Sequence, residues 1–195
     1  MPTRAVVPRL HLLVFVVSWL ALSWYGMMAV HELGHVFGAV LTGGHIERVV
    51  LHPATISRTD VWPNPSPLVV VWLGPLLGCG IPVVVWLLVR RVKGWLNQLA
   101  LFFAGFCLIA NGAYISRGAF DRVGDCGVML ANGCPQWLLW AFGVLTIPTG
   151  LLAWHRLGSL SNFLTDAEGV DAPLAYGTLA VLAVYVAVQL SLSTW

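Results

Sequence analysis

The chain is short of charge. Ten Lys or Arg and eight Asp or Glu among 195 residues leave 9% charged side chains, against roughly 25% in an ordinary soluble domain. So little polarity excludes a cytosolic globular enzyme, a nucleic-acid binder and a disordered chain. The net charge of +2 argues for no charged partner. Cysteine is also scarce. Cys79 and Cys107 lie in apolar runs, where a small buried hydrophobe is the plain reading. Cys126 and Cys134 share a polar stretch, and a disulfide between them stays open. No spacing among the four suggests a zinc knuckle. No internal repeat is visible. Arg4 and Arg9 precede an apolar run that is long and bulky and lacks a small-residue cleavage site, so no cleavable signal peptide is expected.

What the chain has instead is apolar length. Hydrophobic residues make up 58%, and the mean hydropathy is +0.84. A bilayer core of about 30 Å takes roughly 20 residues per helix. The expectation is a single domain, 1–195, all-α and polytopic. It has five or six transmembrane helices, and its solvent is the lipid bilayer.

The first apolar stretch runs from Leu10 to Leu41. At 1.5 Å per residue it reaches roughly 48 Å, more than one crossing needs. Two short helices meeting near Ser23–Met28, with a turn around Gly26, are favoured over one long helix. Thr42-Gly43-Gly44 ends the stretch. In the polar segment His45–Pro67, residues around Ile46, Arg48 and Val50 suggest a short strand, and four prolines forbid a continuous helix. A β-like loop or hairpin over a polar cavity satisfies this pattern. Further spans are expected at Leu68–Val89, Trp95–Ser116, Gln136–Trp154 and Leu174–Leu192. Trp95, Trp137, Trp140, Trp154 and Trp195 fall near span ends, as interface anchors do. Gly34/Gly38 and Gly74/Gly78 are small-xxx-small pairs that allow close helix packing.

One string stands out: His31-Glu32-Leu33-Gly34-His35. On a helix, residues four apart share a face, so both imidazoles can reach one metal ion. Glu32 sits beside them, where a general base would stand. This is the H-E-x-x-H arrangement of zinc peptidases. A purely structural reading is a polar contact between helices, with the three groups bonded to one another. Three ionisable groups within five residues of an apolar run are expensive to bury, and metal coordination compensates all of them.

A catalytic zinc takes three protein ligands. Membrane parity narrows the search for the third. After the segment 43–67 the chain crosses twice and returns to the same side. Segment 117–135 therefore shares a side with the exit of the His31–His35 helix. Segments 90–93 and 155–173 lie opposite, which removes His155, Asp166, Glu168 and Asp171. Asp125 opens an apolar run able to re-enter the membrane and leads the remaining candidates. Asp121, beside Arg122, reads as a surface ion pair. Asp121, His45 and Glu47 stay open as alternatives.

Three stretches carry a family resemblance: AVHELGHVFGAVLTGGHIERVVLHP at 29–53, WLGPLLG at 72–78 and GDCGVMLANG at 124–133. The chain resembles the site-2-protease family of intramembrane zinc metallopeptidases, in a compact bacterial branch. The resemblance covers a core of about 29–140. It implies one catalytic Zn2+ held by His31, His35 and Asp125, with Glu32 as the catalytic residue. It implies a β-like loop near the active site and a transmembrane protein substrate cut in or near its membrane segment. It also implies a multi-pass protein of the bacterial inner membrane. Many members carry an Asn-x-x-Pro element shortly before an Asp-Gly pair. Here Asp125 is followed by Cys126 and then Gly127, and Asn111 lies far upstream without the proline. No substrate-binding residue is therefore assigned. The rival readings are a zinc-binding homologue that does not cleave and a small membrane transporter or scaffold. The sequence does not give an oligomeric state.

Overall fold

In a lipid solvent every backbone polar group must be satisfied within the chain, and apolar runs meet that demand by coiling into helices. The computed structural model describes residues 6–158 and 170–192. Arg4, Asp166, Glu168 and Trp195, named above, lie outside the described residues. The elements are α1 (Val6–Thr42), β1 (Ile46–Val50), β2 (Arg58–Val61), α2 (Pro67–Val89), α3 (Trp95–Asp121), α4 (Gly124–Ala131), α5 (Gln136–His155) and α6 (Ala172–Leu192). Five of these helices, all but α4, are long and apolar enough to cross a membrane. The fold is all-α and polytopic, with one small sheet.

The first span corrects the sequence reading. α1 runs as one helix of 37 residues through Gly26, where a turn between two helices was expected. The physical reason is the lack of a breaker: from Arg9 to Thr42 there is no proline. A lone interior glycine costs only about 1 kcal/mol relative to alanine. α1 ends at Gly43, whose φ of 75° takes the left-handed conformation that glycine adopts without strain. The Gly44 N–H donates back to the Ala39 carbonyl at 2.8 Å.

Two compact units are distinguished. One takes in α1 as far as Gly26, residues 51–56 and α6; the other takes in residues 27–50 and 57–157. In the first, Tyr25 and Tyr185 stack with ring centroids 5.9 Å apart. The Tyr185 hydroxyl donates to the Tyr25 carbonyl at 3.1 Å.

The second unit carries the candidate site. β1 and β2 pair antiparallel, with Val49 opposite Thr59 and an irregular register between Ile46 and Arg48. The strand and hairpin expected in segment 45–67 are present. α3 extends to Asp121, five residues past its expected end at Ser116. The segment expected to be polar holds a further short helix, α4. Its packing face is apolar: Cys126 and Met129 are fully buried against Val71, Ile115, Ala119 and Leu139 of the neighbouring helices. This core fixes where α4, and hence Asp125, stands. All four cysteines are buried and free, so Cys126 and Cys134 form no disulfide. Trp154 is more than an interface anchor, since its indole N–H donates to the Phe102 carbonyl at 3.0 Å.

Candidate metal centre

Helical period decides what the end of α1 buries. His31, Glu32, Gly34, His35, Gly38 and Ala39 are buried, while Leu33, Phe37 and Val40 are exposed. The polar face turns inward and the apolar face outward, as a lipid solvent requires. His31, Glu32 and His35 keep only 6%, 3% and 5% of their accessible surface. At that depth each polar group needs a partner inside the protein.

The glycine pairs make that burial possible. A Cβ on Gly34 would run into the Leu73 carbonyl of α2, and one on Gly38 would come within 2.8 Å of the Val70 Cα. α1 and α2 therefore touch backbone to backbone, which is how small residues pack membrane helices. The second pair shapes the site. A Cβ on Gly74 would overlap the His35 imidazole, and one on Gly78 would sit 3.0 Å from the Asn111 Oδ1.

The partners of the two imidazoles fix their protons. His35 Nδ1 lies 2.9 Å from the Val70 carbonyl oxygen. A carbonyl only accepts, so this nitrogen carries the hydrogen. His31 Nδ1 lies 2.6 Å from Asn111 Oδ1. The Asn111 amide donates its Nδ2 hydrogen to the Cys107 carbonyl at 2.9 Å. That bond sets the amide orientation, so Oδ1 is the acceptor and His31 Nδ1 is again the donor. Both rings thus present Nε2 to the site with its lone pair.

Asp125 completes the group from the first turn of α4. Its Oδ2 lies 2.8 Å from His31 Nε2 and 3.4 Å from His35 Nε2. Burial would raise the Asp125 carboxyl, but rings of His31 and His35 protonated at Nε2 outweigh it through their hydrogen bonds and hold the group below the ordinary carboxylate range. The Asp125 backbone N–H donates to the Tyr114 hydroxyl at 3.2 Å. One ligand atom from each of His31, His35 and Asp125 falls within 4.8 Å of the others. With both Nδ1 atoms acting as donors, two facing lone-pair atoms cannot approach this closely unless something positive lies between them. It is either a proton shared between the ring and the carboxyl or a metal ion among the three.

The donor set fits zinc. Two imidazole nitrogens and one carboxylate oxygen form a known catalytic zinc set. Bond lengths of 2.0–2.2 Å in a tetrahedron put ligand atoms about 3.4 Å apart. The spacing between His35 and Asp125 already matches, and that between His31 and Asp125 opens by about 0.6 Å.

Glu32 makes a separate bond. The Thr59 hydroxyl of β2 donates to its Oε2 at 2.7 Å. Asp121 is exposed and pairs with Arg117 at 2.9 Å on its own helix, as a surface ion pair. It does not join the metal group, and neither do His45 and Glu47. Sequence reasoning missed three residues here: Thr59, Asn111 and Tyr114. Asn111 had a signal, an amide in the middle of an apolar span, where polar groups are costly. Tyr114 follows it at i+3, on the same helix face. Thr59 had none, because its role depends on how the hairpin folds back. Comparison of the chain with protein-family models, with curated proteins and with solved structures finds no match.

Proposed function

We propose that the chain is an intramembrane zinc metallopeptidase of the site-2-protease type. It hydrolyses a peptide bond in or near a transmembrane segment of a membrane protein substrate, in the inner membrane of a bacterial cell. The observation that carries this is the pair of oriented imidazoles. Val70 O and Asn111 Oδ1 hold the two Nδ1 hydrogens, so both Nε2 lone pairs meet Asp125 Oδ2 at one point. Such outer partners are what orient histidines as metal ligands.

His31, His35 and Asp125 would hold the ion. Zinc bound there supplies Lewis acidity, lowering the pKa of a water towards about 7 and offsetting charge on a carbonyl oxygen. The remaining work falls to Glu32. Its Oε2 is held by Thr59, and its carboxylate takes the proton of the water that attacks the peptide carbonyl. The same proton then goes to the leaving amine nitrogen as the C–N bond breaks. A peptide bond in an intact helix is shielded by its own turns, so the substrate must unwind locally to present it.

The test uses purified protein in detergent micelles and a tagged single-span substrate whose helix carries a helix-breaking Asn-Pro pair. Wild type is expected to cleave it with one bound zinc. Glu32→Gln is expected to keep the zinc and lose at least about 100-fold in kcat, the scale of general acid–base catalysis. Cleavage retained in zinc-loaded Glu32→Gln refutes the role of Glu32. Rapid metal exchange with transport into liposomes, and no cleavage, would instead mark a transporter.

A further inference from the structure

We propose that Thr59 is a positioning residue for the general base: its hydroxyl orients the Glu32 carboxylate. This rests on the peptidase reading above. Glu32 keeps 3% of its surface, and a buried polar group needs a hydrogen-bond partner inside the protein. Among the described residues its one hydrogen-bond partner is the Thr59 hydroxyl, 2.7 Å from Oε2. The two histidines beside it in sequence are committed elsewhere, to Asn111, Val70 and Asp125.

The bond is long-range and comes from a different element. Thr59 stands on β2, and β2 is held by β1, with Val49 opposite Thr59. The hairpin thus reaches the base through one side chain. A donor on Oε2 fixes the rotation of the carboxylate about its last bond. The other oxygen is left to exchange the proton. Without that donor the carboxylate turns freely, and the proton-transfer geometry is met less often. The flanking strand residues make no such contact. Arg58 and Asp60 pair with each other at 3.2 Å, both well exposed.

The role separates from simple hole-filling by which variant restores function. Thr59→Ser keeps the hydroxyl and loses a methyl; Thr59→Val keeps the shape and loses the hydroxyl. Both go into the cleavage assay with wild type and Glu32→Gln, each checked for zinc content. Thr59→Val is expected to keep its zinc and its KM while kcat falls about 10- to 100-fold, the scale of a hydrogen bond to a charged group. Thr59→Ser is expected to recover most of the rate. A second readout needs no catalysis. The carboxylate infrared band that disappears in Glu32→Gln is expected to shift in Thr59→Val and return in Thr59→Ser. Thr59→Val with wild-type kcat and an unshifted band overturns the inference and leaves the peptidase reading standing. Equal behaviour of wild type and Glu32→Gln in cleavage overturns that reading, and the inference with it. A loss of zinc in Thr59→Val would place the residue in the fold and not at the base, and also overturns it.

Discussion

Replacing Gly74 by alanine tests whether α2 is shaped around His35, a proposed metal ligand. An added Cβ would lie 2.5 Å from His35 Nε2 and 2.8 Å from Nδ1, and closer still to Cε1. Unstrained contact needs about 3.5 Å, so the ring must retreat by about 1 Å. It is tethered at 2.9 Å to the Val70 carbonyl, one turn before Gly74 on the same helix. A 1 Å retreat breaks that bond and turns Nε2 away from Asp125. Lost orientation of a ligand costs 10- to 100-fold in metal affinity, or about 1.4–2.8 kcal/mol. The effect on the metal-free protein is smaller. The lost hydrogen bond costs about 1 kcal/mol, and exchanging helical glycine for alanine returns about 0.5–1 kcal/mol. The metal-free melting temperature should therefore barely move, while the stabilisation that zinc adds shrinks. Gly80, on the same helix, is the control, because a Cβ there meets nothing within 4 Å. Gly80→Ala should raise stability by about 0.5–1 kcal/mol with and without zinc and leave affinity unchanged. The assay is thermal unfolding in micelles with and without zinc, alongside competition against a chromophoric chelator. Equal zinc affinity in Gly74→Ala and wild type would refute the reasoning.

Further outcomes follow from the same geometry. Asn111→Ala removes the acceptor for His31 Nδ1 and should weaken zinc binding about 10- to 100-fold. Asn111→Asp, which keeps an acceptor there, should retain most of the affinity in the same chelator competition. Asp125→Asn should abolish stoichiometric zinc in metal analysis. Asp121→Asn loses only an exposed ion pair with Arg117; it should keep its zinc and change stability by no more than about 0.5 kcal/mol.

How far the sequence reached depended on the range of each interaction. The His31–His35 pair was legible because helical spacing alone sets it. Asp125, 94 positions from His31, was narrowed to by counting crossings, which needs only the spans and left Asp121, His45 and Glu47 open beside it. The spans were legible because lipid leaves apolar runs no other regular structure. α1 was misjudged at Gly26, where length suggested a break and no residue was present to make one. Asn111 and Thr59 escaped because their partners come from other elements. An amide in α3 meets His31 only once Gly78 lets α2 and α3 close. A threonine in a loop meets Glu32 only once β2 pairs with β1.

Glu32 separates a metal site from a polar contact between helices. His31, His35 and Asp125 alone satisfy either account, since a buried His–Asp pair can knit helices without a metal. In that account Glu32 should join them, because a buried carboxylate beside two imidazoles gains most by pairing with them. Instead it holds a neutral hydroxyl, Thr59, at 2.7 Å, and both histidines turn to other acceptors. One hydroxyl is a poor exchange for the hydration that a buried carboxylate gives up. As a structural device Glu32 is therefore a liability. Its replacement by a well-packed leucine should cost the fold little or stabilise it. A general base has the opposite requirements: one oxygen held, the other kept from neighbouring cations, and a metal site next to it. If the Glu32→Leu protein melts several degrees below wild type in the metal-free state, Glu32 is structural after all. If it melts at or above wild type while cleavage is lost, the residue is kept for chemistry.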